Sequence, residues 1–240
     1  MGSIKDNVLR VREEIARAAA LAGVSADGIR LVAASKTKDA EAVREAVRAG
    51  VDACGENRVN EFLEKDAQGA YDGAPKHFIG RLQHNKVRQI TGRVDLIQSV
   101  DSAQLLELVE KRAAMLDTVQ PILLQVNIGR EESKGGFLPE AADEAAALAC
   151  TLPHLRLEGL MAIPPAWENL SGTWPGAKNY PYFDEMFRLY IDIREKKYHN
   201  NHIWCLSMGM SGDYSQAIVS GANMVRVGSA IFGARTATQP

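Results

Sequence analysis

Cysteine is scarce in this chain: Cys54, Cys150 and Cys205 are its only three in 240 residues. Odd in number, widely separated and set in apolar segments, they exclude a disulfide framework and a zinc-ligand spacing and read as core residues. His199 and His202, in YHNNHIW, come nearest to a metal motif, but with no cysteine or carboxylate partner nearby they read as a solvated connection. No apolar run approaches the roughly 20 residues that span a bilayer. The N-terminal MGSIKDNVLRVREEIARAAALAG reads as an amphipathic helix rather than a signal peptide, so a cytoplasmic protein without membrane association is expected. An excess of one charge is also missing. Lys plus Arg is 28 and Asp plus Glu is 30, a formal net charge of -2 that offers no field toward nucleic acid, so any basic site must be local.

What the chain does have is alternation. Short apolar runs take turns with amphipathic stretches from end to end, the pattern of βα units around a parallel sheet buried on both faces. Eight runs are candidate strands: Ile29 to Ser35, Val51 to Cys54, His77 to Gly80, Val94 to Gln98, Pro121 to Ile128, Arg156 to Ile163, His202 to Ser207 and Asn223 to Gly228. Between them DAEAVREAVRAG and SAQLLELVEKRAAML place apolar residues three and four apart, with Asp39, Asp101 and Asp213 where N-caps belong and Gly50 where a helix closes. Eight strands with eight crossovers predict an α/β fold, a single-domain (β/α)8 TIM-type barrel spanning residues 1–240, since one barrel takes about 250 residues. An open doubly wound sheet is the alternative, but SKTKDA after the first strand is no glycine-rich dinucleotide turn. The long connection PPAWENLSGTWPGAKNYPYF reads either as a lid or as a variable surface loop.

Chemistry in a barrel gathers at the C-terminal ends of its strands. Lys36 follows the apolar run LVAAS directly, so its amine reaches toward the barrel axis, where lost hydration lowers its pKa and makes it a Schiff-base nucleophile. A strand-end lysine is otherwise a solvated rim charge. After the eighth strand, Gly228 and Ser229 open a short helix with free N–H groups, and after the seventh Ser207 supplies a hydroxyl and Gly209 allows close backbone approach. This is the usual place for a phosphate in such barrels. Tight turn geometry is the plain alternative for the glycines. Arg226 stands inside an apolar strand two residues before Gly228, hence on the same face. A buried guanidinium needs an acceptor, either a carboxylate in an ion pair or a cofactor ring nitrogen.

The ordered set VAASKTK, GENRVNEF, HFIGRLQHNK, VNIGREESKGGF, LEGLMAIP, LSMGMSGDY and MVRVGSAIFGAR strongly resembles the pyridoxal phosphate homeostasis protein family, from about Leu31 to Arg235. The resemblance implies a fold-type III barrel related to the N-terminal domain of bacterial alanine racemase, without a C-terminal β-domain. It also implies pyridoxal 5′-phosphate on the lysine matching Lys36, and phosphate contacts from the positions matching Ser207, Gly228 and Ser229. Arg226 matches the arginine beside the pyridine nitrogen, and Asn57 of GEN a polar residue near the cofactor. Two departures stand out: the long insertion carrying Trp167 and Trp174, and Ser215 in place of a frequent acidic residue.

Two functions follow as expectations. The first is a non-catalytic monomer that buffers or carries pyridoxal phosphate and hands it to apo forms of enzymes using that cofactor, with Lys134 of GREESKGG as a candidate second amine at the mouth. The second is an enzyme, either a small amino-acid racemase or a Schiff-base aldolase. A racemase needs a second acid or base opposite the lysine, and an arginine at the ring nitrogen weakens the electron sink that carbanion chemistry uses. No catalytic residue is therefore assigned.

Overall fold

In the computed structural model, residues 2–165, 180–196, 198 and 202–233 are described. The connection carrying Trp167 and Trp174, and His199, lie outside them. Eight parallel strands close on themselves in sequential order: β1 (Arg30–Ala34), β2 (Ala53–Glu56), β3 (Lys76–Phe78), β4 (Leu96–Val100), β5 (Gln120–Val126), β6 (Leu155–Ala162), β7 (Cys205–Ser207) and β8 (Met224–Val227). The outer layer comprises α1 (Ile4–Ala22), α2 (Ala40–Arg48), α3 (Val59–Ala67), α4 (Val87–Ile90), α5 (Ala103–Met115), α6 (Ala142–Thr151), α7 (Pro181–Glu195), α8 (Tyr214–Val219) and the short α9 (Ser229–Phe232). No described helix is long and apolar enough to cross a membrane.

All eight predicted strands are present, with shifted ends. β2 begins two residues later and runs through Glu56, because the GEN segment continues the ladder with β3, Glu56 opposite Phe78. β4 likewise extends past Gln98 to Val100, which draws Ser99 into the sheet. β7 starts only at Cys205. Among the predicted caps, Asp39 accepts from Ala42 N at 2.8 Å, but the cap of α5 is Ser102 rather than Asp101. Asp213 precedes α8 and turns its carboxylate to Met210 N instead. All three cysteines are buried.

The strand period of two divides the apolar residues into two layers. Val32, Ala53, Leu96, Leu123, Met161, Cys205 and Met224 fill the barrel, whereas Leu31, Ile97, Leu124, Leu160 and Val225 join the layer between sheet and helices. Gly159 is where β6 passes β7 most closely: a Cβ there would lie 1.8 Å from the Cys205 carbonyl oxygen, at a φ of +152°. Gly159→Ala is therefore expected to destabilise the protein by about 2 kcal/mol or more, read from urea denaturation, because backbone has to yield.

Candidate functional site

The parallel register builds the site. Val32 pairs with Arg226 and Ala33 with Val227, so the end of β1 stands beside the end of β8. There a cavity of about 350 Å³ is lined by Ala34, Lys36, Lys38, Ser211, Arg226, Gly228 and Ser229, with Phe232 and Gly233 completing one wall. Lys36 is half-buried in a tight turn in which Thr37 takes a φ of +64°. The turn is tied across the mouth by Lys38, whose ammonium donates to the Phe232 carbonyl at 3.0 Å.

Arg226 is 3% exposed. Its Nη1 donates to Ser207 Oγ at 2.6 Å and its Nη2 to the Ala162 carbonyl at 2.8 Å, both neutral acceptors. Among the described residues no carboxylate lies within ion-pair distance of it. Burial pulls its pKa down to about 10, with Asp213 opposing, so the guanidinium is still charged at neutral pH. A buried cation facing a cavity and paired directly with no carboxylate among the described residues is a site for a ligand that accepts hydrogen bonds or carries negative charge.

Of the two serines of SMGMS, Ser211 lines this cavity and Ser207 does not. Ser211 Oγ accepts from Gly228 N at 3.1 Å and Ala230 N at 3.3 Å, occupying the position at the start of α9 that an anionic oxygen would take. Gly209, at φ +91°, supplies the left-handed turn that brings this loop back, and Arg226 N donates to its carbonyl at 3.0 Å. Ser207 lies inside the barrel, fully buried, because it shares the inward parity of Cys205. It donates to Gln98 Oε1 at 2.7 Å. Since the Gln98 carbonyl is thus engaged, its amide faces His77 Nδ1 at 2.9 Å, which makes that nitrogen the acceptor and the ring neutral. Burial takes the His77 pKa down to about 4, Asp95 opposing. Arg226, Ser207, Gln98 and His77 form one directional string of donors and acceptors through the barrel.

Asn57 is not brought into the Lys36 cavity. It lines two neighbouring depressions, one of about 240 Å³ shared with Asp101, Gln125, Asn127 and Lys134. Its backbone is pressed against Gly80, where a Cβ would lie 2.1 Å from the Asn57 carbonyl oxygen, and its Oδ1 is buried without a donor among the described residues. Lys134 belongs to that second depression and is paired with Glu131. Lys36, Arg226, Gly228 and Ser229 are the sequence-assigned residues that the fold does assemble. Sequence reasoning missed Ser211, although it stands in the SMGMS segment just before the chain turns toward α8. Lys38, the second cation of SKTK, was also passed over.

The chain matches the family described as alanine racemase, N-terminal domain, over residues 1–236. A pyridoxal phosphate homeostasis protein of Aquifex aeolicus is 40% identical over 230 residues, covering 96% of this chain and 97% of that one. Its namesake in Escherichia coli K12 is 38% identical over 239 residues, 98% of each. The solved structure of PipY from Synechococcus elongatus with bound PLP superposes with a TM-score of 0.80 at 28% identity, covering 96% of this chain and 100% of PipY. By barrel, by motif order and by near-full-length identity, the chain belongs to the pyridoxal phosphate homeostasis proteins within the alanine racemase N-terminal domain family.

Proposed function

We propose that this protein binds pyridoxal 5′-phosphate through Lys36 and serves its intracellular homeostasis as a carrier or buffer, in the cytoplasm and without amino-acid turnover. The observation that carries the reading is the cavity lined jointly by Lys36 and by Arg226, a buried cation with no carboxylate within ion-pair distance among the described residues. The residues present fit the group. Gly228, Ser229 and Ser211 offer a phosphate cradle at the start of α9, and the Arg226 guanidinium offers a donor to a pyridine nitrogen. When bound, the cofactor supplies an aldehyde that condenses with the Lys36 amine as a Schiff base, releasing one water, and hydrolysis reverses the step. The names of the relatives and the PLP held by PipY support the same ligand.

The side chains around the mouth support holding rather than turnover. Asn57 and Asn127 do not titrate near neutral pH, Gln98 and Ser99 are buried away from the cavity, and His84 is exposed after β3. Tyr180 donates its hydroxyl to the Pro165 carbonyl and burial pushes its pKa up to about 12. Tyr182 is half-buried and is the remaining phenol of that segment. The deciding experiment loads the protein with pyridoxal phosphate and follows deuterium exchange at Cα of L- and D-amino acids, with free cofactor as control. Visible absorbance with exchange no faster than the control is expected. Sustained stereospecific exchange that Tyr182→Phe abolishes would make the protein an enzyme.

The two serines separate cradle from scaffold. Ser211→Ala is expected to weaken cofactor retention about tenfold, the loss of one hydrogen bond of about 1.5 kcal/mol to a charged acceptor, with a smaller loss of stability, about 0.5–1 kcal/mol, because Gly228 N and Ala230 N lose their acceptor at a solvent-accessible site. Ser207→Ala instead leaves both Gln98 Oε1 and Arg226 Nη1 short of a partner, so its effect should fall mainly on stability, by about 1–3 kcal/mol. Equilibrium dialysis and thermal melts of the two variants check the assignment, and the reverse pattern refutes it.

A further inference from the structure

We propose that a buried ion pair, Glu56 with Lys65, positions Lys36 by anchoring the residue before it. This rests on Lys36 being the reactive lysine. Lys65 lies on α3, only 5% exposed, and Glu56 at the end of β2 is fully buried. The Lys65 ammonium donates to the Ser35 carbonyl at 2.8 Å and to Glu56 Oε1 at 2.5 Å. Ser35 Oγ donates to the same carboxylate oxygen at 2.5 Å, and Ser35 N to the Gly55 carbonyl at 3.0 Å. Every polar group of Ser35 is thereby engaged.

On the other side of Lys36, Thr37 N donates to Glu61 Oε2 at 2.8 Å, and Lys38 N closes the turn onto the Ser35 carbonyl at 3.1 Å. Lys36 is bracketed by two residues held from α3, where Glu61 and Lys65 are four apart on one face. The arrangement is one that stability alone does not call for, because an apolar pair of similar volume buried here is often as stable as an ion pair. An apolar pair, however, cannot fix the direction of a carbonyl. The ammonium can, and the carbonyl it fixes belongs to the peptide that launches Lys36 toward the cavity. Glu56 and Lys65 are positioning residues: they touch the Ser35 backbone and hydroxyl, and act on the amine through the turn.

The test uses the full chain with Glu56→Gln and Lys65→Met combined, which leaves no lone charge buried, and Glu56→Gln alone as a near-isosteric second variant. Amide exchange in the ligand-free protein should rise at Thr37 and Lys38 while the rest of the barrel stays as in the parent. The rate at which added pyridoxal phosphate is captured on Lys36, fixed by borohydride and mapped by peptide mass, should fall about tenfold in the double variant through loss of orientation. The induced circular dichroism of the bound chromophore, divided by its absorbance, should fall as well. That ratio reports orientation and does not respond to occupancy. A cooperatively melting double variant with parental capture rate and parental ratio overturns the proposal, as does parental behaviour of Glu56→Gln if the double variant fails to fold. Loss of capture only in step with loss of cooperative melting in both variants also overturns it, leaving the pair a purely structural role. Undiminished borohydride-fixed capture in Lys36→Ala would instead remove the reading beneath the proposal, and is told apart by that control.

Discussion

Lys36→Ala is expected to abolish covalent retention of pyridoxal phosphate and leave the barrel folded. The side chain is half-buried in a turn at the mouth and lines the cavity that Arg226, Gly228 and Ser229 share. Removing it takes away the amine that the aldehyde needs, while the cradle at the start of α9 and the guanidinium still offer hydrogen bonds. The variant should therefore bind the cofactor only reversibly, without the visible band of a Schiff base, and lose it on gel filtration. In the parent, borohydride reduction followed by peptide mass mapping should put the phosphopyridoxyl group on the peptide containing Lys36. Lys38 and Lys134 are the internal controls: Lys38 is engaged with the Phe232 carbonyl, and Lys134 lines the separate depression beside Asn57. A label found mainly on either one would move the site and with it the proposed function.

A second large effect is expected from pH. His77 is held neutral inside the barrel, its Nδ1 accepting from Gln98, and burial lowers its pKa to about 4. In the unfolded chain the same ring titrates near 6.5. Between those values the unfolded state binds a proton that the native state refuses, so unfolding free energy rises with pH across this window. Stability should therefore be constant above about pH 7, fall as the pH drops through 6.5, and be lower by about 3 kcal/mol at pH 4 from this group alone. His77→Asn keeps an acceptor for the Gln98 amide but cannot titrate. Urea denaturation from pH 7.5 to 5 should show the slope in the parent and a flatter profile in that variant. An equal slope in both would mean that His77 is not the group responsible.

The same string explains why Arg226 sits where it does. Protonating His77 would turn its Nδ1 from acceptor to donor, and the Gln98 amide would have to reverse, which withdraws the acceptor that Ser207 now uses. Ser207 in turn is the acceptor for Arg226 Nη1. A neutral imidazole deep in the barrel is thus linked through Gln98 and Ser207 to one of the two hydrogen bonds that hold the Arg226 guanidinium, the other going to the Ala162 carbonyl.

Periodicity and residue type carried the reading a long way. Alternating apolar runs and amphipathic stretches are local properties, and a strand buried on both faces has no other way to be written, so eight strands and a closed parallel barrel were legible without any long-range information. Lys36 was legible for the same reason: a lysine directly after a buried run has to emerge at the mouth. The parity of Arg226 with Gly228 needed only the two-residue period of a strand.

What tertiary structure decided is which polar groups meet. Ser207 and Ser211 are four residues apart in one motif and equally plausible as hydroxyl donors, but strand parity with register against β8 sends the first into the barrel and the second to the cavity. Asn57 follows a strand end as Lys36 does, yet the close approach at Gly80 turns it to the neighbouring depressions. Glu56 and Lys65 are nine residues apart and look like an ordinary strand end and a helix-surface charge. They become a buried pair beneath Ser35 only once α3 is laid against β2 and the residue that follows β1. Patterns of period two and 3.6 determine where a chain is strand or helix and which face is buried. The direction of a hydrogen bond depends on atoms from distant segments placed to within a few tenths of an ångström, and only packing of the whole barrel does that.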